Sequence, residues 1–379
     1  MLISYGGNKL KNQLCFYGEK SIDDFVDYIK KRYSKLMIVS GNLCNRLLIT
    51  EKITSKLNDV VFFSDFLSNP TYEAVKNGVK LFNNEDCDAI LAIGGGSAMD
   101  VAKCIKLFAT MKPDENYLFQ EYIDNDIKLF AIPTTAGTGS EATRFAVIYY
   151  NGEKQSVTHS SLVPSAVLFE ASSLKSLSDY QRKSAMLDAM CHAIESFWSV
   201  NSTDESKKYS KEALKLIFGE VHNYLDNTDR GNTNMLRAAN LAGKAINISQ
   251  TTAAHAMCYK ITSVCKISHG HAAACILPEL WNYMFNNMDK CVDRRGGGYL
   301  NSIFEQIAVG IGSTDVLDAI NKIKKLFFDL GLNIPKIEEK DIKSFVLSVN
   351  TTRLKNNPVL LSEKDIEKIY RNIFISEME

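Results

Sequence analysis

Proline is scarce in this chain, at 7 of 379 residues, which leaves little room for Pro-rich linkers or disordered tails. Net charge is missing as well: 44 basic residues balance 44 acidic ones, so no overall field draws the protein to nucleic acid or to an anionic membrane. No apolar run approaches the roughly 18 residues that cross a bilayer. The opening stretch, residues 1–13, lacks the basic-then-apolar order of a signal sequence, so the expected location is the cytoplasm. The 9 cysteines, spread from Cys15 through Cys44 to Cys291, are odd in number and never form a C-x-x-C pair. That predicts reduced, packed thiols rather than a disulfide frame or a Cys-type zinc site.

What is present is a globular composition, 45% hydrophobic and 23% charged, at a length that suits about two domains. The first half alternates short β-rich runs (36–39, 60–63, 89–93, 129–132) with helix-length amphipathic segments (43–57, 71–84, 97–110). This is the pattern of a parallel sheet covered by helices. A further β-rich run at 145–150 ends in the turn signal Asn151-Gly152, and 166–169 is the last strand expected. From about residue 176 the character changes to helices, near 179–200, 204–226, 232–249, 252–264, 271–288, 299–309, 315–329 and 362–375. The predicted organisation is an α/β domain over 1–175 and an all-α domain over 176–379.

Three constellations carry chemistry. Residues 88–103 read as a buried strand running into Gly94-Gly95-Gly96-Ser97 and then a helix. Backbone N–H groups and a helix dipole can meet an anion there, and Ser97 doubles as an N-cap candidate. A second strand, 129–132, runs into Pro133-Thr134-Thr135-Ala136-Gly137-Thr138-Gly139-Ser140-Glu141, a hydroxyl-dense turn. In a parallel sheet it would share the ligand-binding carboxyl edge with the first. The third is metal-like. Asp188 and His192 stand at i and i+4 on a helical stretch, His255 opens another, and His269 follows 14 residues later. One Asp and three His would hold a divalent ion with coordination left for a substrate oxygen, although a satisfied buried or surface role is the commoner fate of any single histidine.

Taken together, GGGSAMDVAK (94–103), PTTAGTGSE (133–141), DAMCHAIES (188–196) and His255 with His269-Gly270 resemble the iron-containing, or group III, alcohol dehydrogenases. The order and spacing agree across about residues 30–290. The resemblance implies a Rossmann-like α/β domain binding a nicotinamide cofactor and a helical domain, a dehydroquinate synthase-like architecture with a catalytic metal. It carries the metal ligands onto Asp188, His192, His255 and His269, with Fe²⁺ as the ion and Zn²⁺ as the alternative. The pyrophosphate role falls on Gly94, Gly95, Gly96 and Ser97, the cofactor lining on Thr134, Thr135 and Thr138, and the ribose–nicotinamide lysine on Lys154. Asp100 would organise the glycine turn, while Lys103, Glu141 and Glu195 match motifs for which packing and capping are adequate explanations.

Three positions depart from the family. Tyr259 stands where many members have a proton-relaying histidine, Glu170 where an Asp is usual, and His271 is an extra histidine for which solvent exposure or a substrate contact is expected. Segments 198–205, 243–252, 268–273 and 353–358 look similar to a subgroup that includes phosphonoacetaldehyde reductases. A dianionic substrate would need cations, and Arg144, Lys260, Arg294, Arg295 and Arg353 are the candidates. NAD-preferring proteins place a carboxylate after a strand like 36–39; here Gly41 takes that place, so NADPH is expected to serve at least as well as NADH. The resulting expectation is a metal-dependent NAD(P)-linked alcohol dehydrogenase or aldehyde reductase acting on a small aldehyde or alcohol, homodimeric, with no nucleic-acid or membrane partner. The rivals are a dehydroquinate-synthase-type lyase on the same scaffold and a non-catalytic nucleotide-binding protein with a structural metal.

Overall fold

A computed structural model describes residues 13–42, 47–349 and 351–375. Residues 1–12 of the signal-sequence reading, Cys44, and the start of the helix expected from residue 43 lie outside the described residues. The chain folds as two compact units, residues 13–134 with 140–176, and residues 135–139 with 177–375.

The first unit runs Leu14–Tyr17 (β1), Ile22–Lys30 (α1), Leu36–Ser40 (β2), Leu48–Thr54 (α2), Val60–Phe63 (β3), Tyr72–Asn84 (α3), Ala89–Gly94 (β4), Gly96–Phe108 (α4), Lys128–Pro133 (β5), Phe145–Tyr150 (β6), Glu153–Thr158 (β7) and Ala166–Phe169 (β8). Six strands form one parallel sheet in the order β1-β8-β5-β4-β2-β3. β2, β4 and β8 are buried along their whole length, which is why they read as apolar runs without polar alternation. On one face α1 lays Phe25, Val26 and Ile29 against Ile38, Leu91 and Phe130.

Register aligns Ser40 with Ile93 and Gly94 with Pro133, so the turns after β2, β4 and β5 leave the same carboxyl edge. That edge is where ligands of open parallel sheets bind. The run at 145–150 is a strand, but it pairs antiparallel with β7 in a separate hairpin. Asn151 and Gly152, with φ of 53° and 79°, supply the left-handed pair that a tight two-residue hairpin turn needs.

The second unit consists of helices Asp179–Trp198 (α5), Asp204–Leu225 (α6), Asp229–Ser249 (α7), Ala253–Cys265 (α8), His269–Asn286 (α9), Gly297–Gly310 (α10), Val316–Asp329 (α11), Glu339–Leu347 (α12), Thr351–Leu354 (α13) and Glu363–Phe374 (α14). α5 starts with a Ser178–Gln181 capping box and is buried without interruption from Met186 to Trp198, packed by α6, α7 and α9. It is the core helix of the unit. Among the described residues, no helix is long and apolar enough to cross a membrane.

Candidate metal and cofactor sites

At the sheet edge, α4 begins at Gly96 behind an extended Gly95 with no side-chain cap. Ser97, expected as a cap, therefore sits inside the first turn instead. An uncapped glycine entry leaves the first-turn amides and the positive dipole end for an anion. Thr134 is buried and its N–H donates to the Gly94 carbonyl at 3.0 Å. At Gly41 a side chain would meet nothing within 4 Å. Lys154 lies exposed on β7, and its charge acts on Asp100. Thr135 and Thr138 fall in the 135–139 segment, which is counted with the helical unit.

Beneath this edge lies a charged cluster. Lys103 is fully buried, and its Nζ donates to Ser140 Oγ (2.9 Å), Thr143 Oγ1 (3.1 Å) and the Phe145 carbonyl (2.7 Å). Ser140 Oγ in turn donates to Asp100 Oδ1 at 3.1 Å. Desolvation pushes Lys103 down to about 8 against the pull of Asp100 and Glu141, and pushes Asp100 up to about 6. These bonds tie α4 to residues 140–145. The Lys103 and Asp100 positions were visible in the motif, but their partners lie some 40 residues away and were not.

The helical unit gathers the metal-type residues. One ligand-type atom each from Asp188, His255 and His269 lies within 4.8 Å of the others. His192, the remaining predicted ligand, is outside that group but stacks its ring on His255 at 4.4 Å. Asp188 and His192 point from one face of α5, as their spacing requires. His269 is brought in by the neighbouring glycine. A Cβ on Gly270 would stand 2.2 Å from the Ser184 carbonyl and 2.6 Å from Asp188 Cβ, so only glycine lets α9 start this close to α5.

Asp188 Oδ1, His192 Nδ1 and His255 Nε2 are buried without a hydrogen-bond partner. Such orphans cost about 1–3 kcal/mol each unless a ligand satisfies them. One carboxylate oxygen and unpartnered imidazole nitrogens in one dry place are a donor set that fits a divalent ion. Burial would raise the Asp188 carboxyl, but His192, His269 and His255 hold it well below the usual carboxylate range. Burial brings His192 down to about 4, which favours the neutral, ligating form.

One functional residue was underrated from sequence. Glu195, fully buried, accepts from the Thr252 N–H (3.2 Å), Thr252 Oγ1 (2.7 Å) and the Ala254 N–H (2.8 Å), capping α8 from across the unit. Its other oxygen takes a hydrogen bond from His255 Nδ1, which turns Nε2 toward Asp188 Oδ1, 3.5 Å away. Burial opposes a charge on His255, yet Glu195 and Asp188 outweigh it and raise the ring to about 9. A carboxylate behind a ligating histidine fixes tautomer and orientation. The available signal was spacing, since positions 188, 192 and 195 share one helix face.

Other sequence candidates resolve differently. His271 is buried rather than exposed; Nδ1 meets the Tyr180 hydroxyl at 3.1 Å and Nε2 the Asn333 carbonyl at 2.9 Å, so it braces α9. Glu170 caps the short turn 171–174 by accepting from the Ser172 N–H at 2.8 Å. Tyr259 stacks on His269 at 5.3 Å, and burial pushes its phenol up. Of the candidate cations, Arg295 is paired with Asp293 and bound to the Ser199 and Ser202 carbonyls, Arg294 is exposed, and Arg144 lies over Phe145 in the α/β unit.

Comparison with known proteins agrees with this geometry. The chain is 29% identical over 297 residues to the phosphonoacetaldehyde reductase of Streptomyces viridochromogenes, covering 74% of this chain and 75% of that protein. It is 30% identical over 274 residues to aldehyde-alcohol dehydrogenase 2 of Entamoeba histolytica, covering 67% of this chain but only 32% of that longer protein. The fold is shared with the crystal structure of sulfoacetaldehyde reductase from Bifidobacterium kashiwanohense in complex with NAD⁺, at a TM-score of 0.85, 23% identity and complete coverage of both chains. Residues 12–171 match the iron-containing alcohol dehydrogenase model and residues 183–374 its C-terminal counterpart. With both units matched in order, the α/β unit and the helical unit are two halves of one enzyme, and the chain belongs to the iron-containing alcohol dehydrogenase family.

Proposed function

We propose that the chain reduces a small aldehyde, and in reverse oxidises the corresponding alcohol, with Asp188, His192, His255 and His269 holding the catalytic metal. The observation that carries this reading is the set of three buried, unpartnered donor atoms on Asp188, His192 and His255. When bound, the divalent ion supplies Lewis acidity at a carbonyl oxygen and the nicotinamide supplies the hydride. One carboxylate and three neutral imidazoles leave such an ion with net positive charge. Glu195 accepts from His255 Nδ1, so that Nε2 faces Asp188 and, once its proton is displaced, would present its lone pair to a bound ion. The near-complete burial of Asp188 and His255 keeps water from the donors. Tyr259, its phenol pushed up by burial, holds its proton and serves to pack His269.

The turns at Gly94, Gly95, Gly96 and Ser97, with Thr134, Thr135, Thr138 and Lys154, are assigned to the cofactor. With Ser40, Gly41 and Asn42 at the end of β2, no acid repels a 2′-phosphate, which supports NADPH use at least equal to NADH. Iron is the expected ion and zinc the alternative; phosphonoacetaldehyde is among the candidate substrates, and a cytoplasmic homodimer is the expected form. The family match favours this reading over the lyase and the non-catalytic alternatives. The test reconstitutes the protein with Fe²⁺ and follows NADPH and NADH consumption across an aldehyde panel that includes phosphonoacetaldehyde. Turnover that vanishes on chelation and returns with iron is the expected result; cofactor binding with no aldehyde-dependent oxidation would overturn it.

A further inference from the structure

Three of the segments singled out in the sequence and not yet used, 198–205, 243–252 and 353–358, meet at one place in the helical unit. Trp198 Nε1 donates to Thr252 Oγ1 (2.9 Å), Ser199 Oγ to the Ser249 carbonyl (2.9 Å) and Asn201 Nδ2 to Asn356 Oδ1 (2.9 Å). Asn356 Nδ2 donates to Gln250 Oε1 (3.2 Å) and the Thr251 carbonyl (3.1 Å). Gln250 holds a left-handed φ of 61°, a conformation non-glycine residues keep only where the surroundings enforce it. What this scaffold carries is Arg353. Its Nη1 donates to Thr251 Oγ1, and its guanidinium lies 5.7 Å over the ring of Tyr259, which stacks on His269.

A permanent cation is thus held two ring contacts from the metal-type cluster. Arg353 acts electrostatically on Tyr259, the ring it shares with His269. Of the other candidate arginines in the helical unit, Arg295 is paired with Asp293 and Arg294 is exposed. A guanidinium braced by a hydroxyl matches a tetrahedral oxyanion, which it can grip through two parallel N–H donors.

We propose that Arg353 is a specificity residue that receives the anionic head group of the substrate, making the substrate class short aldehydes that carry a phosphonate or sulfonate. The inference rests on the aldehyde-reductase reading and deepens it. The test compares wild type, Arg353→Met and Arg353→Lys in the iron-loaded protein, with phosphonoacetaldehyde, sulfoacetaldehyde and uncharged propanal. Arg353→Met is expected to lower kcat/KM for the anionic aldehydes by roughly 100-fold, mainly through KM, while propanal changes by less than about threefold. Arg353→Lys recovers part of the loss. The wild-type ratio between the two anionic aldehydes tells which oxyanion is preferred.

Phosphonoacetate and sulfoacetate, as unreactive probes, are expected to bind wild type by calorimetry and to bind Arg353→Met far more weakly. An equal loss for propanal, or undiminished anion binding in Arg353→Met, would overturn the assignment. Wild type that reduces propanal but binds neither anion overturns the anionic class and leaves the reductase intact. Anion binding that depends on Arg353 in a protein that reduces no aldehyde would support the subsite while overturning the reading beneath it.

Discussion

Each unit carries a cluster of ionisable groups, and the two are built on opposite logic. Around Lys103 in the α/β unit every polar atom named has a partner: three acceptors surround Nζ, and Ser140 passes the chain of bonds to Asp100. Around Asp188 in the helical unit, Asp188 Oδ1, His192 Nδ1 and His255 Nε2 make no hydrogen bond, and the Asp188–His255 contact stays at 3.5 Å. A closed cluster stabilises the fold that contains it, whereas an open one costs stability until something from outside completes it. Buried charge by itself therefore does not mark the reactive centre; unsatisfied buried charge does.

The sharpest way to break this contrast is His269→Ala. Removing one ligand should strip the metal and lower turnover by about 1,000-fold or more, with nicotinamide binding retained. Metal analysis beside NADPH titration checks it, and full metal content in the variant would show that the cluster is not the ligand set. The mirror experiment is Lys103→Met, which should leave metal content unchanged but cost about 3 kcal/mol of unfolding free energy by stranding buried partners.

That variant also has a pH signature. The folded Lys103 sits near 8, below its ordinary value of 10.5, so between those values the unfolded chain binds more protons. Wild-type stability relative to Lys103→Met should therefore rise as pH climbs from 8 towards 10.5, and a flat difference in denaturant titrations would place the shift elsewhere.

Smaller effects sharpen the comparison. Glu195→Gln keeps all four proposed ligands but weakens the acceptor behind His255, so metal affinity should fall by about 10- to 100-fold in chelator competition. Unchanged affinity would reduce Glu195 to a helix cap. Smallest is Gly41→Asp, which touches neither cluster and should shift kcat/KM toward NADH by roughly 1 to 2 kcal/mol. If cofactor preference does not move, the ribose is read elsewhere.

The parallel sheet was legible, apart from the four-residue, partly exposed edge strand β1, because β2, β4 and β8 bury both faces and so appear as unbroken apolar runs. β7 was not, since Glu153–Thr158 lies mostly exposed in a two-stranded hairpin and has no apolar alternation to read. α12 and α13 were missed for a related reason: they are short, of 9 and 4 residues, and no helical period establishes itself over such lengths. α9 begins at His269 rather than 271, and that difference places the histidine on the first turn instead of in a connector.

Within the site, Asp188 and His192 followed from helical spacing, while His255 and His269 were candidates by residue type that the family resemblance then singled out. The hydrogen bonds to Lys103 and Glu195 span 37 to 60 residues, and periodicity carries no information over such separations.

The chain enters the helical unit twice, first as the five-residue strap 135–139 and then for good at residue 177. Gly139 packs directly on Gly243 of α7, with no room for a Cβ on either, and Gly137 lies against the Ala185 backbone of α5, the helix that carries His192. During synthesis the strap leaves the ribosome well before the helices it fits against. It must wait through the completion of the α/β sheet until α5 and α7 arrive. The helical half therefore cannot be excised at residue 177 and expected to load metal as the whole protein does. A deletion series should show that a fragment starting there needs these five residues restored before His192 is held in place.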